Sequence, residues 1–495
     1  MQNSLAPLDF FVIGAYIVGL YYIGFRFRHH KTTTDYYLAG RNMSGLLTGI
    51  SVTVTLLSAV SLMGLVAFTF EKNMNMVVAS FPGLLAIPII NRVILPFYHR
   101  LPITTSYEYL ERRFDSKVRI VASAFFVLLR LFYLSVVIYA PSVALSVATG
   151  RPLYQNVLIM GISSVTLAML GGMRAVIWSE VLKFAALAIS FASILITLFR
   201  HVEGGFAEAW ALARSGGRLD IFNLSLDPTA TFATSWIIIG VFFQILATFG
   251  TDQIVVQRYL SSRSLEESRK AYTVSAWTTL PINIFLALSG VGFYIFYKQH
   301  PNWDQGLMSA DQVLPHFAIH HLPRGLTGLV IATIFSAALS THSSGVHALN
   351  TVVMNDFFGR RFFATSSGKS GVGLIRLGNL FWGALTTMLA LYVSYLGMII
   401  VAAQKINQFF GGALLGMFLL GMLFARPTSW GVLIGASAGL LSVGSVAMLT
   451  SISYFWYAPI GCLVTGLIGY LASLLFRPPD LDRIRGFHLG RESAA

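Results

Sequence analysis

The chain contains thirteen apolar segments of about 20 residues each or more, and this feature restricts its possible folds more than any other. They lie at about 8–26, 46–70, 77–98, 118–148, 153–171, 177–200, 233–259, 271–298, 326–357, 372–398, 401–424, 430–450 and 454–476. A helix needs about 20 mostly apolar residues to cross a hydrocarbon core of ~30 Å. Barrel strands would be about 10 residues long with alternating polarity. With 55% hydrophobic and only 11% charged residues, the chain is predicted to be an all-α membrane protein of about 13 transmembrane helices.

The positive charges are unevenly distributed between the loops. The loops alternate from an outside N-terminus in this prediction, and charges near the segment ends are counted with the adjoining loop. The cytoplasmic loops then contain 23 of the 34 Lys and Arg residues, the outer ones seven, and the segment interiors four. Positive residues stay on the cytoplasmic side during insertion. The bias predicts a multi-pass protein of the plasma (inner) membrane with its N-terminus outside and its C-terminus in the cytoplasm. It also accounts for the net charge of +14 without nucleic acid as a partner.

Two segments carry residues that would be costly in a lipid-facing helix. The second contains "SVTVTLLSAVSLMG", and the seventh contains "ATFGTDQ", with Gly250 and Asp252. Irregular backbone persists at this depth only beside a cavity. Each interrupted segment opens a run of five, which suggests an inverted repeat with substrate and ions near the midplane. The predicted organisation is one transmembrane domain over 1–495, with repeats at about 46–200 and 233–424 and a short cytoplasmic tail at 477–495.

The ninth segment carries many hydroxyls, in the stretch "FSAALSTHSSGVHALN". Five fall within nine residues: Ser336, Ser340, Thr341, Ser343 and Ser344. On a helix, positions 337, 340, 341 and 344 share one face. Hydroxyls and freed carbonyls are hard oxygen ligands for an alkali cation, and the break in the second segment would add carbonyls near Val54 and Leu57. Alternatively, these hydroxyls bond their own helix backbone or join neighbouring helices.

Three ionisable residues inside the segments are candidates for function. Glu180 is either part of a binding site or an ion-pair partner of Lys183, one turn away. His342 either couples protons, because an imidazole titrates near neutrality, or is an interhelical hydrogen-bond partner. Arg130 cannot lose its charge. It therefore needs either a substrate anion or a structural partner, for which Asp252, Glu180 and helix-end carbonyls are candidates.

Several motifs resemble the sodium:solute symporter family over about residues 8 to 476. They are "TTSYEYLERRFD", "VVIYAPSVALSVATG", "GGMRAVIWSEVLKF", "GTDQIVVQRYLSS" and "ATIFSAALSTHSSGVHALN". The second and last are most similar to the monocarboxylate, multivitamin and iodide branch, which carries mainly anions. The resemblance implies a five-plus-five inverted repeat with broken first and sixth repeat helices, one extra helix before it and two after.

The resemblance also implies binding residues. A principal Na⁺ site would consist of Val54, Leu57, Ala337, Ser340 and Thr341. Some members bind a second Na⁺, for which the corresponding residues are Glu180, Ser343 and Ser344. The family usually has Asp at position 180, so the number of Na⁺ ions, one or two, stays open. The substrate pocket would contain Ser58, Ser61, Ser80, Arg130, Tyr133, Gln244 and Gln404.

Arg130 is the predicted counter-charge for a carboxylate substrate. Sialic-acid carriers of the resembled family hold the carboxylate with an arginine on this helix, at the position that Tyr133 has here. Arg130 lies one turn earlier on the same face. Gln404 falls where sugar-carrying relatives use a glutamine, but the other polar groups that bind sugars in those relatives are missing.

We therefore expect a sodium-coupled secondary active symporter that imports a small organic solute bearing a carboxylate, such as a monocarboxylate or a sialic-acid-like molecule. A sodium-coupled sugar or neutral-solute symporter, a proton-coupled transporter, a membrane sensor and a channel are the alternatives. No HExxH, phosphate-binding loop or nucleophile elbow is present, so no enzyme activity is expected. The expected partners are Na⁺ as the co-transported ion, the solute and the bilayer, with no organic cofactor and no obligate protein partner.

Overall fold

The computed structural model describes residues 5–26, 42–101, 106–167, 173–303, 307–357 and 369–489. These residues form helices joined by turns and loops, and within these ranges the only β-type pairing is an isolated bridge between Met43 and Ser262. The predicted all-α class is confirmed. The last residues of the predicted fifth segment, 168–171, and residues 490–495 of the predicted tail lie outside the described ranges.

The helices are numbered in chain order. They are α1 Pro7–Arg26, α2 Gly45–Leu56, α3 Ala59–Glu71, α4 Asn75–Arg100, α5 Ser106–Arg113, α6 Ser116–Thr149, α7 Leu153–Leu167, α8 Met173–His201, α9 Gly205–Ser215, α10 Thr234–Thr251, α11 Gln253–Leu260, α12 Leu265–Gln299, α13 Val313–His321, α14 Leu326–Asp356, α15 Lys369–Ala390, α16 Ile399–Leu423, α17 Ser429–Leu449, α18 Tyr457–Ser473 and α19 Leu481–Ile484. Helix α4 is a composite of short 3₁₀, α and π stretches. Its three prolines, Pro82, Pro88 and Pro96, account for this, because a proline removes a backbone donor and disturbs the preceding turn.

Nine of the described helices are long and apolar enough to cross a membrane, and the bent pair of α2 and α3 makes a tenth span if it is counted as one. Helices α1, α7 and α15 coincide with the three other predicted segments. Over their described residues they do not reach the same length and hydropathy. The chain is therefore a multi-pass membrane protein, while the total of thirteen spans and the inverted repeat stay predictions.

Both predicted interruptions are confirmed as breaks in helices. Helices α2 and α3 meet at an angle of 60°, and the two residues between them, Leu57 and Ser58, have non-helical ψ values of 75° and 173°. Helices α10 and α11 meet at Asp252, whose backbone is extended at φ −76° and ψ 117°. In each case the chain leaves the helix inside a segment that is otherwise apolar.

The first broken helix is held in place by close packing. Helix α12 runs along both α2 and α3. A Cβ at Gly49 would lie 2.8 Å from the carbonyl oxygen of Ala271, so the two backbones approach more closely than any larger residue would allow. Small residues commonly permit this kind of contact between membrane helices. The position of the break is thus fixed relative to α12.

Helix α14, which carries the hydroxyl-rich stretch, is anchored by α1. The buried carboxylate of Asp9 accepts hydrogen bonds from the backbone N–H groups of Gly325 at 2.6 Å and Gly328 at 2.9 Å. A negative charge at a helix N-terminus satisfies free donors and complements the helix dipole. Further along, the hydroxyls of Tyr16 and Ser336 are 2.9 Å apart. These contacts fix the position of α14 along its axis.

The described part of the tail packs against the helices rather than extending away from them. The hydroxyl of Tyr109 donates to the carbonyl of Phe487 at 3.2 Å, and the N–H of Leu489 donates to the carbonyl of Met422 at 2.8 Å. Residues 477–489 therefore lie against α5 and the end of α16, at the face that the charge bias assigns to the cytoplasm.

Candidate functional site

A cavity of about 260 Å³ lies where the two broken helices meet α6, α12, α14 and α16. Nine of the predicted site residues line it: Leu57, Ser61, Ser80, Arg130, Tyr133, Gln244, Thr341, Ser344 and Gln404. Ser58 lies at its edge, with its hydroxyl 3.4 Å from that of Tyr133. The structure therefore brings six of the seven predicted substrate residues to one cavity, together with Leu57, Thr341 and Ser344 of the predicted sodium residues. The other predicted sodium residues do not line it: Val54, Ala337, Ser340, Glu180 and Ser343.

The break between α2 and α3 interrupts the helical hydrogen-bond ladder. The N–H of Leu57 still donates to Thr53, but the next recorded backbone bonds run from Ser61 and Leu62 to the carbonyl of Ser58. In the described chain, the carbonyls from Val54 to Leu57 therefore accept no helical backbone hydrogen bond across the break. Leu57 and neighbouring residues line the cavity, which is where free carbonyls in a membrane helix are tolerated.

The hydroxyl face of α14 presents a cluster of oxygens. Thr341 donates to the carbonyl of Ala337 at 2.9 Å, and Ser340 lies 3.3 Å from the same carbonyl. Ser343 and Ser344 both donate to the carbonyl of Ser340, at 3.2 and 2.6 Å. The backbone-bonding alternative therefore holds for all four hydroxyls. A donating hydroxyl keeps its oxygen lone pairs, so the oxygens of Ala337, Ser340 and Thr341 remain suitable ligands for a hard cation.

Arg130 lies at the cavity and forms an ion pair with Asp252. The other carboxylate oxygen of Asp252 accepts from the N–H of Ile254 at 2.9 Å and so caps α11. The guanidinium carbon of Arg130 is 5.7 Å from the ring centres of both Phe126 and Tyr133. Its buried Nε has no hydrogen-bond partner among the described residues. Of the structural partners considered for Arg130, Asp252 is the one that the structure supports.

Glu180 is paired with a residue that the sequence did not suggest. Its carboxylate accepts from Arg258 at 3.0 Å and from Thr55 at 2.5 Å, and it also accepts from Ser51. The suggested ion pair with Lys183 is wrong, since no contact within 4.0 Å joins the two residues in the described chain. The positive charge that pairs with this carboxylate is that of Arg258, on the second half of the second broken helix, α11.

His342 is an interhelical hydrogen-bond partner. Its Nδ1 lies 2.8 Å from the hydroxyl of Ser164 on α7, and its Nε2 lies 2.8 Å from the hydroxyl of Thr386 on α15. Both ring nitrogens are thus engaged, and the side chain is fully buried. The structural interpretation of His342 is confirmed, and its place between three helices speaks against a role in proton transfer from the cavity.

Residues 36–439 match the model of the sodium:solute symporter family, which is well over half of the chain. The chain belongs to this family. The symporter is therefore an integral multi-pass membrane protein that couples solute transport to sodium, and it is not an enzyme.

The relatives of the symporter include proteins named as sialic acid, monocarboxylate and multivitamin transporters. The symporter is 27% identical to the sodium/sialic acid symporter NanT of Aliivibrio fischeri, over 96% of this chain and 94% of that protein. It is 31% identical to the human sodium-coupled monocarboxylate transporter 1, over 85% of this chain and 69% of that protein. Among solved structures, a sodium-coupled sialic acid symporter matches with a TM-score of 0.86 at 24% identity, covering 96% of this chain and 99% of that one. This last match shows a shared fold.

Several polar residues of the symporter's cavity were not predicted from the sequence. Asn283 on α12 lines the cavity and donates to the hydroxyl of Ser80 at 2.8 Å. Asn407 also lines it, one turn after Gln404 on α16. Gln404 has a buried amide oxygen without a hydrogen-bond partner in the described chain, whereas Gln244 accepts from Gln408 at 3.1 Å. The spacing of Gln404 and Asn407 was the available signal, because residues three apart share a helix face.

In the predicted outer loop between α12 and α14, a hairpin made of a short 3₁₀ turn and α13 packs against α3 and α6. It also contacts the start of α16, because the carboxylate of Asp311 accepts from the N–H of Ile399 at 3.2 Å. Burial raises the pKa of Asp311 to about 6, with a smaller lowering contribution from this hydrogen bond and a raising one from nearby Glu71. We therefore expect this carboxylate to change its charge just below neutral pH.

Proposed function

We propose that this symporter imports a small organic carboxylate together with Na⁺, with Arg130 as the counter-charge of the solute. The observation that carries the proposal is the position of Arg130, a permanently charged residue at the wall of a membrane-embedded cavity. Its Nε–H has no protein acceptor in the described residues. Asp252 keeps the guanidinium paired when no solute is bound. A carboxylate in the cavity would accept hydrogen bonds from the guanidinium N–H groups that Asp252 does not bind.

The size and lining of the cavity support a small polar solute. Its volume of about 260 Å³ lies near the lower limit of ligand pockets. Tyr133, Ser61 and Ser80 line the same cavity as Arg130, and the hydroxyl of Ser58 lies at its edge. The relatives named for sialic acid and for monocarboxylates both act on carboxylates, which agrees with a positive charge in this cavity.

Na⁺ is proposed to bind at the first break, between the carbonyls of Val54 and Leu57 and the oxygens of Ala337, Ser340 and Thr341. Such an ion would join α14 to the α2–α3 break, directly next to Ser58 and Ser61. Binding of the ion would raise the affinity for solute, and the solute would raise the affinity for the ion by the same factor. An inside-negative potential of 100 mV contributes about 2.3 kcal/mol for each net positive charge that enters, whereas one Na⁺ imported with one carboxylate anion carries no net charge.

The test uses purified protein and a panel of solutes: sialic acid, short monocarboxylates and a neutral hexose, each in NaCl and in KCl. We expect thermal stabilisation by one or more carboxylates in NaCl and little in KCl. Arg130→Gln should weaken binding of that carboxylate about 10- to 100-fold, because hydrogen bonds to charged groups contribute about 1.5–3 kcal/mol. The matched control is Arg92→Gln, since Arg92 lies on α4 with an exposed side chain and does not line the cavity.

A second candidate is sodium-coupled import of a neutral polar solute. It is favoured by the unpaired amide oxygen of Gln404 and by the neighbouring amide of Asn407, which suit hydroxyl groups. The same panel separates the two. If the neutral hexose stabilises the protein in NaCl and binds equally well to Arg130→Gln, while carboxylates have no effect, the carboxylate proposal is rejected. Stabilisation of equal size in both salts would reject sodium coupling.

The proposed orientation places the N-terminus outside and the C-terminus in the cytoplasm of the plasma (inner) membrane. It rests on the distribution of Lys and Arg between alternate loops. A cysteine introduced at Arg477 should react with a membrane-impermeant thiol reagent only after the membrane is opened. The native Cys462 is buried in α18 and should give little background.

A further inference from the structure

The carboxylate of Glu180 joins both broken helices to α8. One oxygen accepts from Ser51, and the other accepts from Thr55, 2.5 Å away, and from Arg258 Nη2, 3.0 Å away. Ser51 and Thr55 belong to α2, Arg258 belongs to α11, and the side chain of Glu180 is only 2% exposed. Each oxygen of this carboxylate therefore already accepts at least one hydrogen bond from the protein.

Arg258, like the carboxylate it binds, is buried and hydrogen-bonded by the protein. Its side chain is 3% exposed, and its Nη1 donates to the carbonyl of Ile254, one turn earlier, at 3.0 Å. This contact fixes the guanidinium on the side of α11 that faces α8. The pair lies 78 residues apart in sequence, so it is a tertiary contact and does not arise from helix formation alone.

Lys183 adds a second positive charge close to the same carboxylate. It is 4% exposed, and the charged groups that act on it electrostatically are Glu180 and Arg258. No hydrogen bond or ion pair of Lys183 is found in the described part of the chain. Arg258 thus contacts the carboxylate and Lys183 acts on it from farther away, so another cation at this point would meet repulsion in a poorly screened environment.

The serines that would complete a second sodium site are not joined to Glu180. Ser343 and Ser344 donate to the carbonyl of Ser340. Within the described residues, no hydrogen bond joins either serine to Glu180. The hydrogen bonds of Glu180 run to α2 and α11, whereas those of the two serines stay within α14.

We propose that Arg258 is the resident cation of the Glu180 site, and that the symporter consequently binds and moves one Na⁺ per cycle. The inference rests on the proposed sodium coupling and specifies its stoichiometry. Glutamate in place of the family's usual aspartate is the specific change, because the longer side chain reaches the guanidinium and the two α2 hydroxyls together. With one Na⁺, import of a monocarboxylate anion is electroneutral, whereas with two it carries one positive charge inward.

The primary test counts Na⁺ on the purified wild-type protein without any solute. Sodium chloride replaces choline chloride at constant ionic strength, and thermal stabilisation and ²²Na⁺ binding are recorded. We expect a Hill coefficient near 1 and one ion bound per protein. Two ions, or a Hill coefficient near 2, would overturn the proposal about Arg258. No sodium effect at all would instead reject sodium coupling itself, so the two failures are distinguishable.

Variants at positions 180 and 258 test whether Arg258 is the reason that only one Na⁺ binds. Glu180→Gln should leave one Na⁺ bound, because that carboxylate does not serve an ion; a decrease from two ions to one would contradict the proposal. Arg258→Met leaves Glu180 without its cation, and we expect the count to rise from one Na⁺ towards two. Arg258→Lys keeps the charge and should stay at one. If Arg258→Met does not fold, the double variant Glu180→Gln with Arg258→Met removes both charges together and should again bind one ion.

Discussion

The two broken helices of the symporter end in different ways. Between α2 and α3 the chain bends by 60°, no charged residue lies at the break, and carbonyls from Val54 to Leu57 are left out of the helical ladder. Between α10 and α11 the break is a single residue, Asp252. Its carboxylate caps α11 and pairs with Arg130. Both breaks border the same cavity.

The difference indicates which break is built to respond to an ion. The chain itself supplies the partners at the second break, so its geometry does not depend on the ions in solution. The first break offers only oxygen atoms, and α14 carries further oxygens. The ligand that suits such a set of oxygens is a dehydrated cation. We therefore expect changes at the second break to affect folding and changes at the first to affect sodium dependence.

The largest effect is expected at the second break. Asp252→Ala removes the carboxylate and leaves the guanidinium of Arg130 buried without a counter-charge. Removing one member of a buried ion pair typically costs about 3–5 kcal/mol, and loss of the α11 cap adds to this. We expect a clear decrease in the thermal unfolding temperature of the purified protein, at any Na⁺ concentration.

Two controls make this prediction specific. Adding Arg130→Met to Asp252→Ala should recover part of the lost stability, because the unpaired charge is then absent. Glu266→Ala removes an exposed carboxylate at the start of α12 and should change stability by less than about 0.5 kcal/mol. An Asp252→Ala protein as stable as the wild type would show that the second break does not depend on its own charges.

The breaks could be predicted from the sequence, whereas the partners of the buried charges could not. Gly250 and Asp252 stand out because each is locally unusual in an apolar segment. Arg258 was not predicted as a partner, because it lies at the end of that segment and nothing nearby in sequence points to Glu180. Asn283 was missed for the same reason. A single amide in a long apolar helix has no local pattern that tells which way it faces.

The second largest effect concerns Asp311, another carboxylate that caps a helix start, here outside the membrane. Its pKa is raised from 3.8 to about 6, mainly by burial. A raised pKa means that the docked hairpin binds the proton more tightly than the free hairpin does. The stability from this proton is therefore complete below about pH 3.8 and is lost as the pH rises through 6, by about 3 kcal/mol in total.

Hydrogen exchange of α13 measures this effect directly. Protection of residues 313–321, corrected for intrinsic exchange rates, should be higher in the wild type relative to Asp311→Asn at pH 5 than at pH 7.5. The comparison with Asp311→Asn is needed because burial lowers the pKa of His321 on the same helix to about 3, so protonation of this imidazole acts in the opposite direction. Asp227→Asn is the matched control, since Asp227 is fully exposed in another predicted outer loop and the hydrogen bonds from Thr229 lower its pKa. The same pH response in Asp311→Asn as in the wild type would exclude this carboxylate as a contributor.

A smaller effect is expected at the first break, on ion affinity rather than on folding. The double variant Ser340→Ala with Thr341→Ala removes two of the proposed ligand oxygens. We expect the Na⁺ concentration for half-maximal stabilisation to rise at least about tenfold, equivalent to about 1.4 kcal/mol. Thr351→Ala is the control, because this threonine on the same helix also donates to its own backbone but does not line the cavity. Unchanged sodium dependence in the double variant would remove α14 from the ion site.

The smallest effect sharpens the comparison at the first turn of α14. Asp9 caps this end with one carboxylate oxygen that accepts from Gly325 and Gly328, so the N–H groups at the helix start have partners within the protein, as they do at Asp252. Asp9→Asn keeps an acceptor for these two N–H groups, but it loses the charge and the acceptor that the other oxygen provides for the N–H of Ala6 at 2.9 Å. Loss of the charge should cost about 0.3–1 kcal/mol of stability, with a further contribution from the Ala6 bond. The Na⁺ concentration for half-maximal stabilisation should not change. This Na⁺ concentration could instead shift as much as in the double variant of Ser340 and Thr341. A helix end whose partners are supplied by the protein would then also depend on the ion, which would contradict the difference between the two breaks.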